Sequence, residues 1–306
     1  MKAQGFERPF SHSMKEWLMA ARPKTLTAAV IPIAVGTCFA HGVVKIHWGI
    51  AAFALLVLLC IQIGMNITND ALDIKKGADT RERVGPVRIT QRGLLNGHLS
   101  HQQVLGIGFF FFFLALLFGM PLIAEGGIPV LVVLLVGISF GYLYTGGPFP
   151  LAYTGLADLF VLIFYGWIGV AISYYLQAGK IDAIIFLAGT QVGLLATIML
   201  AINNLRDRTQ DAKASKKTLA VRFGDNFARI EITFLILTPF MLNLLWLLYA
   251  KTLLAILPFI AFPMALKLVI GLWNKNSLPN YNQLFGFGSL LTFSFGFLLC
   301  LGVILS

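Results

Sequence analysis

Charge is scarce in this sequence: 13 of its 306 residues are acidic and only 12% are charged, against an apolar share of 58% and a mean hydropathy of +0.82. So little charge excludes an ordinary soluble domain and points to a chain that crosses a membrane several times. Cysteine is also rare. Cys38, Cys60 and Cys300 all lie in apolar stretches without CxxC spacing, which excludes a disulfide frame or a thiolate metal site and reads as three small buried hydrophobes. The first 24 residues carry Lys2, Arg8, Lys15, Arg22 and Lys24 with no early apolar core, so no secretory signal peptide is expected.

The net charge of +10 is not a nucleic-acid footprint, because the basic residues fall in short segments between apolar runs. That is how cytoplasmic loops orient membrane proteins. At about twenty apolar residues per crossing, the sequence predicts nine helices, over about 25–43, 47–68, 103–123, 127–145, 156–178, 182–205, 228–249, 252–271 and 284–305. The Lys/Arg-rich segments 1–24, 75–92 and 206–229 then share one side, so the N-terminus is expected in the cytoplasm and the C-terminus outside. Trp17, Trp48 and Trp273 lie near predicted span ends as interfacial anchors, and Phe109–Phe113 reads as lipid-facing or packing surface.

Six of the 13 acidic residues gather in two places. Asn66–Gly93 holds Asn69, Asp70, Asp73 and Asp79, followed by Lys75, Lys76, Arg81, Arg83, Arg88 and Arg92. If the preceding helix continues, Asn69 and Asp73 stand one turn apart on one face. Asn203–Gly224 repeats the arrangement, with Asn203, Asp207 and Asp211 every four residues and Lys213, Lys216, Lys217 and Arg222 behind them. Carboxylates where an apolar helix meets water are costly and mark a functional site. Two hard-oxygen clusters trailed by cations suit an anion bridged by Mg²⁺, and a diphosphate is the natural ligand. The clusters end spans two and six, as though one four-helix unit were used twice in parallel, with a ninth helix added, in a single domain over 1–306. The Gly/Pro-rich stretch Tyr144–Phe160 falls on the same side and reads as a turn, with Asp158 capping the next helix.

These motifs resemble the UbiA superfamily of intramembrane aromatic prenyltransferases, which carries N-x-x-x-D-x-x-x-D and a later D-x-x-x-D. Asn69 and Asp73 match the first, Asp207 and Asp211 the second. The likeness is nearest to the branch that prenylates 1,4-dihydroxy-2-naphthoate in menaquinone synthesis. It is carried by RPKTL, NDALDIKKGAD with VGPVR, YTGGPFPLAYTGLADLFVLIFYGW, and NNLRD with KKTLAVRFG. The sequence departs from the general motif at Gly77, with the next carboxylate at Asp79.

The resemblance implies an all-α bundle around a central cavity, capped on the cytoplasmic side by the two Asp-bearing loops of a multi-pass protein of the cell (inner) membrane. It also implies two substrates, a polyprenyl diphosphate and an aromatic acid, with no obligatory protein partner. The expected catalytic residues are Asn69, Asp73, Asp207 and Asp211, with Asp70, Asp79 and Asn203 added to the Mg²⁺ ligands. Lys76, Arg81, Arg88, Lys217 and Arg222 are the expected diphosphate contacts, and Arg22 and Lys24 those of the aromatic acid. Rival readings are a related enzyme acting on 4-hydroxybenzoate or homogentisate, a transporter, and a two-metal phosphatidyl transferase.

Overall fold

The computed structural model describes residues 14–80, 88–250, 253–274 and 280–305. Among them every regular element is helical, and eight helices are long and apolar enough to cross a membrane. A short helix, α1 (Met14–Ala20), precedes α2 (Thr27–His41) and α3 (Trp48–Lys75); α4 (Ile89–Leu95) then leads to α5 (His101–Leu143). The chain continues through α6 (Ala157–Val161), a π-helical turn (Leu162–Ile168) and α7 (Gly169–Ala178), which together form one span. There follow α8 (Ile184–Lys213), α9 (Leu219–Asn243), α10 (Trp246–Ala250), α11 (Phe262–Trp273) and α12 (Tyr281–Leu305).

Helix α5 accounts for the ninth expected crossing. Forty-three residues of straight helix would run about 65 Å, twice the ~30 Å hydrocarbon thickness. The chain breaks instead at Gly127, where φ is 65° and ψ −150°, a conformation costly for any residue with a Cβ. The two halves fold against each other, so that a Cβ on Gly119 would lie 2.4 Å from Leu134. One long helix is thus two antiparallel spans, as the hydropathy pattern predicts.

Small residues set how closely the helices approach. Gly166 in the π-turn faces Gly189 and Gly193 of α8, and a Cβ at Gly166 would meet the Gly189 carbonyl oxygen at 2.4 Å. Close backbone contact of this kind is how apolar helices associate where no water is present to drive them together. The largest core cluster joins α2, α7, α8, α9, α11 and α12; a second joins α2, α3 and α5. Cys38 packs against the first cluster, Cys300 belongs to it, Cys60 belongs to the second, and all three are free thiols. Trp48 and Trp273 stand at the ends of α3 and α11, while Phe109, Phe110 and Phe113 face outward and Phe112 packs inward.

Two helices run on past their apolar stretches. α3 extends to Lys75 and α8 to Lys213, roughly two turns past the apolar stretches that identify them, and these extensions carry both acidic clusters.

Candidate active site

The two acidic extensions meet. Asp73 of α3 and Asp211 of α8 flank the Lys216 ammonium, whose Nζ lies 3.1 Å from Asp73 and 4.0 Å from Asp211. Both helices wall a polar pocket of about 90 Å³, lined by Asn69, Asp73 and Asp79 on one side and Asn203, Asp207 and Asp211 on the other. The i, i+4 spacing is what puts each set on one face. Helix α3 stops at Gly77, whose φ of 74° lets the chain turn back so that the amide of Ala78 donates to the Asp73 carbonyl at 2.8 Å. That reversal returns Asp79 to the pocket wall, where Gln91 hydrogen-bonds its carboxylate and Arg88 lies 3.8 Å away.

The segment between α5 and α6 closes the pocket from the side. Tyr153 donates its hydroxyl to Asp73 Oδ1 at 2.9 Å, and Thr145 donates to Asn69 Oδ1 at 2.7 Å. Lys76 donates to the Thr145 carbonyl at 2.6 Å, and the Lys76 and Lys216 ammonium groups stand 4.7 and 4.9 Å from the Tyr153 ring centroid. A ring contacted by two ammonium groups concentrates cations at the pocket edge. Burial and the adjacent Asp73 carboxylate push the Tyr153 phenol above its ordinary range, so it stays a hydrogen-bond donor.

Beneath the polar pocket lies an apolar cavity of about 210 Å³, walled by α2, α3, α5, the π-turn, α7 and α8. Five residues line both spaces: Arg22, Asn69, Tyr144, Leu200 and Asn203. A polar head site therefore opens directly into a hydrocarbon-lined space.

Several expected site residues have other work. Asp70, expected as a metal ligand, is wholly buried and accepts hydrogen bonds from Arg22 at 2.7 Å, from Arg88 at 2.6 to 3.0 Å, and from Thr90. Its oxygens are consumed by protein donors, so it is the hub of an ion-pair cluster that ties the start of α2 to α3 and α4. Arg88, expected on the diphosphate, is committed to that hub. Arg222 faces solvent and donates to the carbonyls of Lys217 and Thr154, pinning the α8–α9 turn to the α5–α6 segment. Lys217 is exposed, whereas its neighbour Lys216 reaches the pocket: Ser215 takes a φ of 58°, the chain leaves α8 extended, and successive side chains then point opposite ways. Lys24 lines neither cavity and packs near Gly286 on α12. Arg81 lies outside the described residues. Asp158 does not cap α6; it is buried in the first turn, with Asn204 Nδ2 at 3.5 Å from Oδ2.

Among the residues that motif spacing does not pick out are Lys216 and Tyr144, which line the pocket, and Tyr153 and Thr145, which hydrogen-bond Asp73 and Asn69. Lys216 belongs to a run of basic residues in which helical position alone does not choose between neighbours. The other three lie in a turn whose place depends on packing.

Comparison with known proteins bears on this arrangement. Residues 29–300 match the UbiA prenyltransferase family. The 1,4-dihydroxy-2-naphthoate octaprenyltransferase of Haemophilus influenzae is 36% identical over 233 residues, 73% of this chain and 74% of that protein. Its namesake in Escherichia coli is 37% identical over 219 residues, 70% of each. Among solved structures, a UbiA homologue of Archaeoglobus fulgidus bound to DMAPP and Mg²⁺ superposes with a TM-score of 0.63 at 20% identity, over 94% of this chain and 99% of that one.

Proposed function

The chain belongs to the UbiA prenyltransferase family, and from that premise we propose that it transfers a polyprenyl group from a polyprenyl diphosphate to 1,4-dihydroxy-2-naphthoate. The allylic C–O bond of the diphosphate breaks and pyrophosphate leaves. The ring carbon bearing the carboxylate bonds to the freed prenyl carbon, and that carboxylate departs as CO₂. The observation that carries the reading is the junction of a charged head pocket with an apolar cavity, which matches a lipid diphosphate end for end.

The donor set fits Mg²⁺. Asp73, Asp207 and Asp211, with Asn69 and Asn203, present oxygens from two helices and Asp79 one from the turn after α3; Arg206 holds Asp207 at 2.6 and 2.7 Å, and Lys216 between Asp73 and Asp211 marks a place where positive charge is already stabilised. No three carboxylate, histidine or cysteine groups among the described residues form a cage by themselves. That suits Mg²⁺, which is commonly held by one or two carboxylates and completed by substrate phosphate. When bound, the ion neutralises charge that grows on the leaving pyrophosphate.

The chain's own groups supply the rest. Lys216 and Lys76 provide fixed positive charge at the leaving-group oxygens. Tyr153 orients Asp73 by its hydrogen bond, and Arg22, lining both spaces, is placed to meet the acceptor's carboxylate. The apolar cavity holds the prenyl tail and excludes water from the reacting carbon. The positive-inside pattern supports the reading that this end of the bundle faces the cytoplasm, with the cell (inner) membrane as the one spanned.

The test is transfer of a labelled polyprenyl group by the purified protein in lipid, with each aromatic acid offered in turn and the product weighed. Loss of transfer with EDTA and its restoration by Mg²⁺ is expected. A product formed only on 4-hydroxybenzoate or homogentisate would refute the acceptor assignment, and full activity in EDTA the metal assignment.

A further inference from the structure

The apolar cavity has one polar strip that a hydrocarbon tail does not need. Gln62 and Asn66 lie one turn apart on α3, Thr25 sits in the short 3-10 turn before α2, and Tyr165 projects from the π-turn; all four line the cavity. Tyr165 donates its hydroxyl to Gln62 Oε1, Gln62 Nε2 reaches Thr25 Oγ1 at 3.4 Å, and Asn66 Nδ2 donates to the Ala21 carbonyl at 3.0 Å. Gln62 and Asn66 are 4% and 1% exposed. Amides buried in an apolar wall are costly unless paired, and these are only partly used. One Gln62 amide hydrogen and the Asn66 Oδ1 make no hydrogen bond among the described residues.

The same cavity carries three phenylalanines, one of them, Phe164, next to Tyr165 in sequence. Phe140, Phe160 and Phe164 form one cluster, with centroids 5.0 to 5.9 Å apart and the Phe160 and Phe164 rings within 13° of parallel. The π-turn lets consecutive residues, Phe164 and Tyr165, both reach the cavity, and such turns recur at functional sites. At the cavity mouth, Arg22 spends one terminal nitrogen on Asp70 at 2.7 Å, while its buried Nε has no partner. Along α3, Gln62 lies about 12 Å deeper than Asp70 at 1.5 Å per residue. The carboxylate and the remote hydroxyl of a hydroquinone-type acid stand meta on one ring, to be met by side chains reaching inward from these two levels.

Resting on the transferase reading above, we propose that Gln62 and Tyr165, supported by Asn66 and Thr25, form the subsite that reads the acceptor hydroxyl remote from the carboxylate. The flat ring stacks on the phenylalanine cluster, its carboxylate meets Arg22, and the remote hydroxyl exchanges hydrogen bonds with Gln62 and Tyr165. These are specificity-determining residues. They read a hydroquinone-type acid and do not touch the diphosphate.

The experiment uses the full chain in lipid nanodiscs, as wild type, Tyr165→Phe and Gln62→Leu. Transfer to 1,4-dihydroxy-2-naphthoate is measured alongside inhibition by 1-hydroxy-2-naphthoate, which lacks the remote hydroxyl. Each variant is expected to raise KM for the dihydroxy acid about tenfold, to leave KM for the prenyl diphosphate within about twofold, and to leave the analogue's inhibition constant unchanged. An unchanged acceptor KM would overturn the assignment. A parallel rise in KM and in the analogue's inhibition constant would equally overturn it, by revealing a general packing defect. Failure of the wild type to prenylate any aromatic acid would instead sink the transferase reading, and the subsite with it.

Discussion

Replacing Asp70 with alanine separates a structural carboxylate from a ligand-binding one three residues away. The Asp70 side chain has no solvent exposure, and its removal leaves the Arg22 guanidinium, at 26% side-chain exposure, without its salt-bridge partner and the Arg88 guanidinium, at 11%, with only the longer 3.8 Å pairing to Asp79. Breaking a buried ion pair from one side costs about 3–5 kcal/mol, and the partial exposure of Arg22 places this case near ~3 kcal/mol. At ~2–4 °C per kcal/mol, that lowers the melting temperature by about 6–12 °C. Asp73→Ala removes a carboxylate held by one phenol and one lysine, and Lys216 keeps Asp211 nearby. Its cost is about 1 kcal/mol, yet it is expected to abolish transfer. The assay is a thermal melt of both purified variants beside the wild type, with the Mg²⁺ dependence of any residual turnover. If Asp70→Ala melted with the wild type but needed far more Mg²⁺, Asp70 would be a metal ligand and the hub assignment would be wrong.

Other outcomes are equally open to measurement. Asp207→Ala is expected to lose prenyl transfer while remaining folded and inserted in membranes, which turnover together with a melt of the same preparation would check. Lys216→Ala is expected to raise KM for the prenyl diphosphate about tenfold, whereas Lys217→Ala, one residue on and facing solvent, leaves it near the wild-type value; equal effects would show that the turn after Ser215 does not sort the two lysines. Gly166→Val forces a Cβ to 2.4 Å from the Gly189 carbonyl oxygen, a backbone atom that cannot swing aside. It is expected to cost about 2–3 kcal/mol, read as a lowered melting temperature, and a melt indistinguishable from wild type would show that the π-turn and α8 separate freely.

Much of this protein is determined by local pattern. The nine crossings follow from apolar run length against bilayer thickness, including the break at Gly127 that divides α5. The ligand-bearing faces of α3 and α8 follow from oxygen side chains spaced four apart, and the stop at Gly77 from the freedom of glycine to take a positive φ. The likeness to the UbiA superfamily rests on the same short motifs.

What the tertiary structure alone decided is which cation each carboxylate meets. Asp70 and Asp73 look alike in sequence, but helix rotation turns one toward Arg22 and Arg88 and the other toward the pocket. Lys216 and Lys217 are distinguishable only once the chain leaves α8 extended, and Tyr153 enters the site only because the segment after α5 folds across it. Gln62 and Tyr165, 103 residues apart, meet because the π-turn, packed on α8, lines the same cavity as α3. Sequence periodicity fixes a side chain's bearing on its own helix, since that depends on backbone geometry alone. Its partner depends on how separate helices are packed, and short-range spacing carries no record of that.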